Sequence, residues 1–164
     1  MGETGMNTDL QRLVERHSLT LYRLAFSYCG NRPDAEDAVQ ETFVKFLSVR
    51  KTFESDEHLL NWLMLVTANN CRDLLRSSWR RKRQDLDAAQ ETPAPERDMD
   101  TSLTVRQAID ALPPKDRGIV YLYYYEDYPV KRIAAALGMS ETAVRSRLDR
   151  ARKRLKRDLG GEQE

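Results

Sequence analysis

Long apolar runs are missing from this 164-residue chain. No stretch reaches the roughly 18 apolar residues a membrane-crossing helix needs, and nothing resembles a cleavable secretory leader. Together these absences predict a soluble, cytoplasmic protein. Cysteine is scarce: Cys29 and Cys71 are the only two, without CxxC spacing. That excludes a disulfide framework and a thiolate zinc site, so they read as reduced core thiols rather than a redox pair. His17 and His58 are the only histidines and lie far apart, so no metal site is expected. There is no glycine-rich phosphate loop and no nucleophile–base constellation. The chain therefore reads as a non-enzyme, with no cofactor and no small-molecule substrate.

Charge is plentiful but segregated. Twenty-seven Lys and Arg oppose 26 Asp and Glu, a net +1 that hides strong local bias. Basic residues concentrate in 72–83 and 145–157, acidic ones in 34–41 and 85–100. Such asymmetry points to two nucleic-acid faces and an acidic surface for something else.

The chain is organised around PVKRIAAALGMSETAVRSRLDRARKRLKRDL, residues 129–159. Pro129 suits a first helical position, because its missing N–H would be unpaired there anyway. Gly138 stops that helix, since it takes the left-handed conformation without a Cβ clash. Ser140 caps the next one. Helix, glycine turn and second helix make a helix-turn-helix, whose second helix enters the DNA major groove. Val144, Leu148, Ala151 and Leu155 recur at steps of three and four, so they form the inner stripe. Thr142, Arg145, Ser146, Asp149, Arg150 and Lys153 fall outside it. Arg145 and Arg150 can fork onto guanine edges, and Ser146 can bond a base edge. Arg147, Arg152, Arg154, Lys156 and Arg157 extend positive charge toward phosphates.

Upstream, residues 1–7 carry no pattern and are expected to fray. A helix from Thr8 presents Leu10, Leu13, Val14, His17, Leu21, Leu24, Ala25 and Tyr28 on one face, and Gly30 ends it. A second helix follows Asn31, Arg32 and Pro33. It buries Ala35, Ala38, Val39, Thr42, Phe43, Phe46 and Leu47, leaving Asp37, Gln40, Glu41 and Val44 outside. No histidine, cysteine or phosphate loop converges on those carboxylates, so they read as dipole compensation or a docking face. A third helix, capped by Ser55 or Asp56, runs to about Lys82. Its stripe is Leu59, Leu60, Trp62, Leu63, Val66, Leu74 and Leu75, broken at Asn70. Its last turns interleave Trp79 with Arg72, Arg76, Arg80 and Arg81, a mix that suits unpaired nucleic acid. Residues 84–100, QDLDAAQETPAPERDMD, lose periodicity and read as a linker. Thr101 or Ser102 then caps a helix bearing Leu103, Val105, Ile109 and Leu112, and Pro113-Pro114 starts another. The expected fold is all-α, with two small helical units, 1–83 and 101–164, on a flexible tether.

Three stretches in this order carry a family resemblance. LYRLAFSYCGNRPDAEDAVQETFVKFL resembles the start of region 2, NWLMLVTANNCRDLLRSSWRR the promoter-melting helix, and residues 112–159 region 4, of a group IV, extracytoplasmic-function sigma factor of bacterial RNA polymerase. The family's region 3 has no counterpart. The resemblance implies that Asp37, Gln40, Glu41 and Val44 dock on core polymerase. It implies that Lys51, Phe53, Asn69, Arg76 and Arg80 meet the −10 element. It assigns the −35 element to Ser140, Thr142, Arg145, Ser146, Arg147, Asp149, Arg150 and Lys153. The implied partners are core RNA polymerase, through its largest and second-largest subunits, and promoter DNA, with an anti-sigma factor as a candidate regulator. Ala68 stands where the family often has Arg, and Thr142-Ala143 also departs from its pattern, so the promoter sequence stays open. Asp149, acidic on a DNA-facing surface, either accepts from a cytosine amino group or points away. The competing reading is a stand-alone helix-turn-helix regulator, which leaves the Asp37–Glu41 face without a job.

Overall fold

The computed structural model describes residues 2–49, 51–84 and 104–160. All regular structure among them is helical: α1 (Gly2–Cys29), α2 (Arg32–Ser48), α3 (Asp56–Gln84), α4 (Val105–Asp110), α5 (Pro114–Tyr124), α6 (Val130–Leu137) and α7 (Glu141–Gly160). No described helix is long and apolar enough to cross a membrane.

Local chemistry sets most boundaries. Gly30 ends α1 at φ +75, where a side chain would be strained. Asn31 caps α2 by accepting from Asp34 N–H at 2.9 Å. Ser55 Oγ accepts from His58 N–H at 3.1 Å at the head of α3. Pro114 opens α5, where a missing N–H costs nothing. Three expectations need correcting. α1 begins at Gly2, not Thr8, so residues 2–7 are helical. α4 is capped by Thr104, in a reciprocal capping box with Gln107; Thr101, Ser102 and Leu103 lie outside the described residues, as does 85–100 of the expected linker. Leu47, expected inside, is 51% exposed, because α2 ends one residue later and nothing packs over that turn.

α1, α2 and α3 pack as a three-helix unit, and α4–α7 form a second. The two are in contact: α1 lies against α5, and α3 against α6. One continuous buried cluster runs through both, from Leu21, Leu24 and Leu63 to Ile119, Leu122, Ile133 and Val144. At the seam the Tyr28 ring, 1% exposed, covers Gly118, where an added Cβ would stand 2.5 Å from Tyr28 Cε2. Arg117 closes the same seam. Its guanidinium donates to Ser27 O at 2.6 Å, to Tyr28 O, and to Leu112 O at 2.8 Å. It thereby satisfies carbonyls that α1 leaves unpaired at its C-terminus.

Between α2 and α3 the core is polar. The Thr42 and Thr67 hydroxyls meet at 2.8 Å, and Asn70 Nδ2 donates to Ala38 O and Thr42 Oγ1. Lys45 Nζ donates to Asn70 Oδ1 at 2.7 Å, completing the network. The Asn70 break in the apolar stripe is thus a satisfied buried amide.

Candidate nucleic-acid interface and docking face

The helix-turn-helix is built by α6 and α7. Gly138 takes φ 64, ψ 40, as the turn requires. Ser140 Oγ accepts from Ala143 N–H at 3.1 Å. Pro129 is the capping residue before the first helical position, one step earlier than expected, and Val130 opens α6. Ile133, Ala134, Ala136, Leu137, Val144, Leu148 and Ala151 are buried; Leu155 is partly so. α7 is thereby fixed with its other side to solvent.

On that side Ser140, Thr142, Arg145, Ser146, Asp149, Arg150 and Lys153 are all exposed. They are not electrically equivalent. Lys153 pairs with Asp149 at 3.2 Å, and Arg145 reaches Glu141 only at 3.9 Å. Arg150 makes no ion pair among the described residues. Arg147 differs: it turns inward and donates to Asp116, a buried carboxylate on α5, at 3.0 Å. Its charge is thus committed within the fold rather than displayed beside Arg150. Arg152, by contrast, is held over the Tyr123 ring at 4.9 Å and donates to Tyr124 Oη at 2.7 Å. Tyr123, Arg145, Ser146, Asp149 and Arg152 line one open groove of about 470 Å³. The Tyr123–Tyr124 platform escaped sequence reasoning because the arginine it holds comes from another helix. Arg152 stands 28 residues further along the chain than Tyr124, beyond the reach of any helical spacing argument.

The α2 face has a different character. Asp37, Gln40, Glu41 and Val44 are exposed together, with Val44 57% accessible. Asp37 and Glu41 rim a recess of about 370 Å³ whose floor includes Lys45 and Asn70. An acidic rim with an exposed apolar residue beside it offers both charge and area to a basic partner surface. The Lys45–Asn70–Thr42 network beneath holds that face rigid against α3.

The third group is only partly assembled. Lys51 is exposed, but Phe53 is half-buried, its ring 6.2 Å from Phe46, 5.7 Å from Trp62 and 5.5 Å from His58. That aromatic cluster pins the α2–α3 loop to the head of α3. Asn69, Arg76 and Arg80 share one stripe of α3, at steps of seven and four. Asn69 is half-buried and accepts from Arg72, while Arg76, Arg80 and Trp79 are exposed. At 1.5 Å per residue, Asn69 lies about 10 Å along the helix from Trp62, and Arg80 about 16 Å beyond it. The set forms a track along α3, not one pocket. No cluster of metal-ligating side chains occurs among the described residues.

Sequence profiles of two families match the chain: "Sigma-70 region 2" over residues 13–81 and "Sigma-70, region 4" over residues 102–155. The extracytoplasmic-function RNA polymerase sigma factor SigE of Mycolicibacterium smegmatis is 34% identical over 94% of this chain, which spans 63% of that protein's length. The RNA polymerase sigma factor SigV of Bacillus subtilis is 31% identical over 89% of this chain and 88% of its own. Among solved structures, CnrH in complex with the cytosolic domain of CnrY matches with a TM-score of 0.58 at 25% identity, covering 92% of this chain and 86% of that one. The fold is shared also with the sigma factor RpoE bound to the anti-sigma factor NepR of Bartonella quintana, with a TM-score of 0.70 at 24% identity and coverage of 90% and 94%.

Proposed function

Since the chain belongs to the sigma-70 family, in its extracytoplasmic-function branch, we propose that it binds core RNA polymerase and directs it to promoters. α7 reads the −35 element, with Arg145, Ser146 and Arg150 at base edges and Tyr123-held Arg152 and Lys153 toward phosphates. α3 receives the −10 strand along the track from Asn69 to Arg80. There an amide offers a donor and an acceptor to an unstacked base, and exposed arginines with Trp79 hold the strand. Asp37, Gln40, Glu41 and Val44 dock on polymerase.

The observation that carries this reading is the presence, in one chain, of a basic helix-turn-helix and a second helical unit with its own acidic face and basic track. A stand-alone regulator needs only the first. Transcription in vitro, with purified core polymerase and a library of genomic promoters, tests it. Added chain is expected to produce discrete promoter-dependent transcripts, and Asp37→Lys with Glu41→Lys is expected to lower core affinity at least tenfold without altering helicity. Helix-turn-helix DNA binding with no core affinity would overturn the proposal in favour of the stand-alone regulator.

We also propose an anti-sigma factor as a partner, supported by the likeness to CnrH, solved with the cytosolic domain of CnrY. A groove of about 640 Å³ lies between α1, α4 and α5, lined by Tyr22, Phe26, Ile109 and Tyr125. A partner helix seated there touches both units at once.

A further inference from the structure

Cys29 and Cys71 are far apart in sequence and meet in the core. Ala25 and Cys29 stand one turn apart on the same face of α1. Cys71 Sγ, on α3, lies 3.8 Å from Ala25 O, the carbonyl that Cys29 N–H faces across that turn. Both cysteines belong to one buried cluster, with Cys71 packed against the turn that ends in Cys29. Both are free, and they are the only cysteines in the chain. Two thiols packed merely as small apolar side chains need not face each other across two helices. We propose that Cys29 and Cys71 are a modification site: a dithiol that a hydroperoxide oxidises to a disulfide joining α1 to α3.

The two sulfurs are unequal, and this assigns their roles. Cys29 is the last residue of α1, beside the Gly30 turn, and retains slight exposure, whereas Cys71 has none. The neighbouring Cys71 thiol holds Cys29 below its ordinary range, with Arg117 adding to the effect and burial and Asp34 opposing it. The neighbouring Cys29 and burial push Cys71 up. Cys29, the more exposed of the two, is accordingly the attacking thiol and Cys71 the resolving one. Cys29 sulfur attacks the peroxide, the O–O bond breaks, and water or an alcohol leaves with the thiol proton. The sulfenic acid so formed is attacked by Cys71; the S–O bond breaks, the S–S bond forms, and water leaves. Two thiols lose two electrons and two protons, and the hydroperoxide is reduced by the same two electrons. The carbonyls that Arg117 grips, Ser27 O and Tyr28 O, belong to the turn that carries Cys29. The oxidised bond therefore forms directly beside the seam.

The test treats the reduced full-length chain with hydrogen peroxide, denatures it with an alkylating agent present, and measures the intact mass. The expected product is monomeric, lighter by two hydrogens and without alkyl groups, and dithiothreitol restores two alkylation sites. Cys71→Ser is expected to accumulate a sulfenic acid that dimedone traps at residue 29, while Cys29→Ser is expected to leave residue 71 unmodified. Two alkylation sites after peroxide, a disulfide between two copies, or sulfinic and sulfonic acids without an internal disulfide would each overturn the proposal. The wild-type measurement stands even if a serine variant fails to fold.

Discussion

The seam between α1 and α5 and the outer side of α7 both depend on arginine, yet arginine does opposite work in them. At the seam Arg117 is drawn in among backbone carbonyls, and Tyr28 seals Gly118 from solvent. On α7 Arg145 and Arg150 stand in water, one loosely paired and the other unpaired among the described residues. A half-buried guanidinium shared among several carbonyls orders structure, because removing it orphans its acceptors. An exposed guanidinium adds little stability and keeps its donors for another molecule. Arg147 and Arg150, three positions apart on one helix, fall on opposite sides of that division. The −35 and −10 labels add a reason for the seam to open. Their separation, roughly 25 base pairs at about 3.4 Å each, exceeds the size of a compact 164-residue chain, about 15 Å in radius of gyration. On the proposed assignment of α7 to the −35 element and α3 to the −10 element, contact between the units and simultaneous reading of both exclude each other.

The largest expected effect comes from Gly118→Ala, and its sign is diagnostic. With the seam formed, the new Cβ meets the buried Tyr28 ring at 2.5 Å, and overpacking costs about 1–3 kcal/mol. With the units apart, the same change inside α5 gains up to about 1 kcal/mol of helix propensity. Urea unfolding of the variant is expected to show the loss, and Tyr28→Leu in the same chain to recover part of it.

Arg117→Ala is expected to cost about 2 kcal/mol, since charged hydrogen bonds to carbonyls are lost with no replacement donor. Arg117→Lys is expected to recover only a minor part, because an ammonium cannot fork between Ser27 O and Leu112 O. Midpoints of unfolding at fixed protein concentration check both.

Next comes the pair on α7. Arg147→Ala leaves Asp116 buried without its partner; as a third of the Arg147 side chain is exposed, the expected cost is about 1–2 kcal/mol, below that of a fully buried pair. Arg150→Ala is expected to leave the unfolding midpoint unchanged and to cost about 1–3 kcal/mol of −35 binding, with preference relaxed at one base pair. Equal losses at matched and mismatched sites would make Arg150 a phosphate contact. Binding of labelled duplexes alongside urea melts separates the two arginines.

Much of this was legible in the sequence, because it was local. Gly30, Pro114, Gly138 and Ser140 punctuate helices by rules that need no tertiary context, and the α7 stripe follows from periodicity. The outward side of α2 was legible for the same reason. What escaped was set by long-range contact. The register between α1 and α3 that joins Cys29 to Cys71 is invisible to spacing arguments. So is the fit of Tyr28 onto Gly118, since a glycine inside a helical pattern reads only as a weak position. Arg147 was misplaced in its surroundings for a related reason. Helical periodicity puts it at the edge of the stripe, and only the buried Asp116 on α5 decides which way it turns. Phe53 read as available to DNA because its partners, Phe46, His58 and Trp62, come from other segments.

The smallest expected effect contrasts proton sensitivity with salt sensitivity. His17 lies on the inner stripe of α1, buried, and its Nε2 has no hydrogen-bond partner among the described residues. Burial, with Arg16 adding to it and Asp56 opposing, holds its pKa below the ordinary 6.5. The folded chain therefore binds that proton less readily than the unfolded chain. Well above pH 6.5 His17 is neutral in both states and contributes no pH dependence. As pH falls below that value the unfolded state takes up the proton first, so stability is lost on acidification. The slope from this one group cannot exceed about 1.4 kcal/mol per pH unit. His17→Leu is expected to flatten the stability curve between about pH 7 and pH 5 relative to wild type; carboxylates, common to both chains, cancel in the difference. The α7 side should behave inversely. Its arginines act on phosphates and base edges, so −35 binding should weaken steeply with added salt. Parallel stability curves for wild type and His17→Leu would show that His17 is as free to protonate in the folded chain as in the unfolded one.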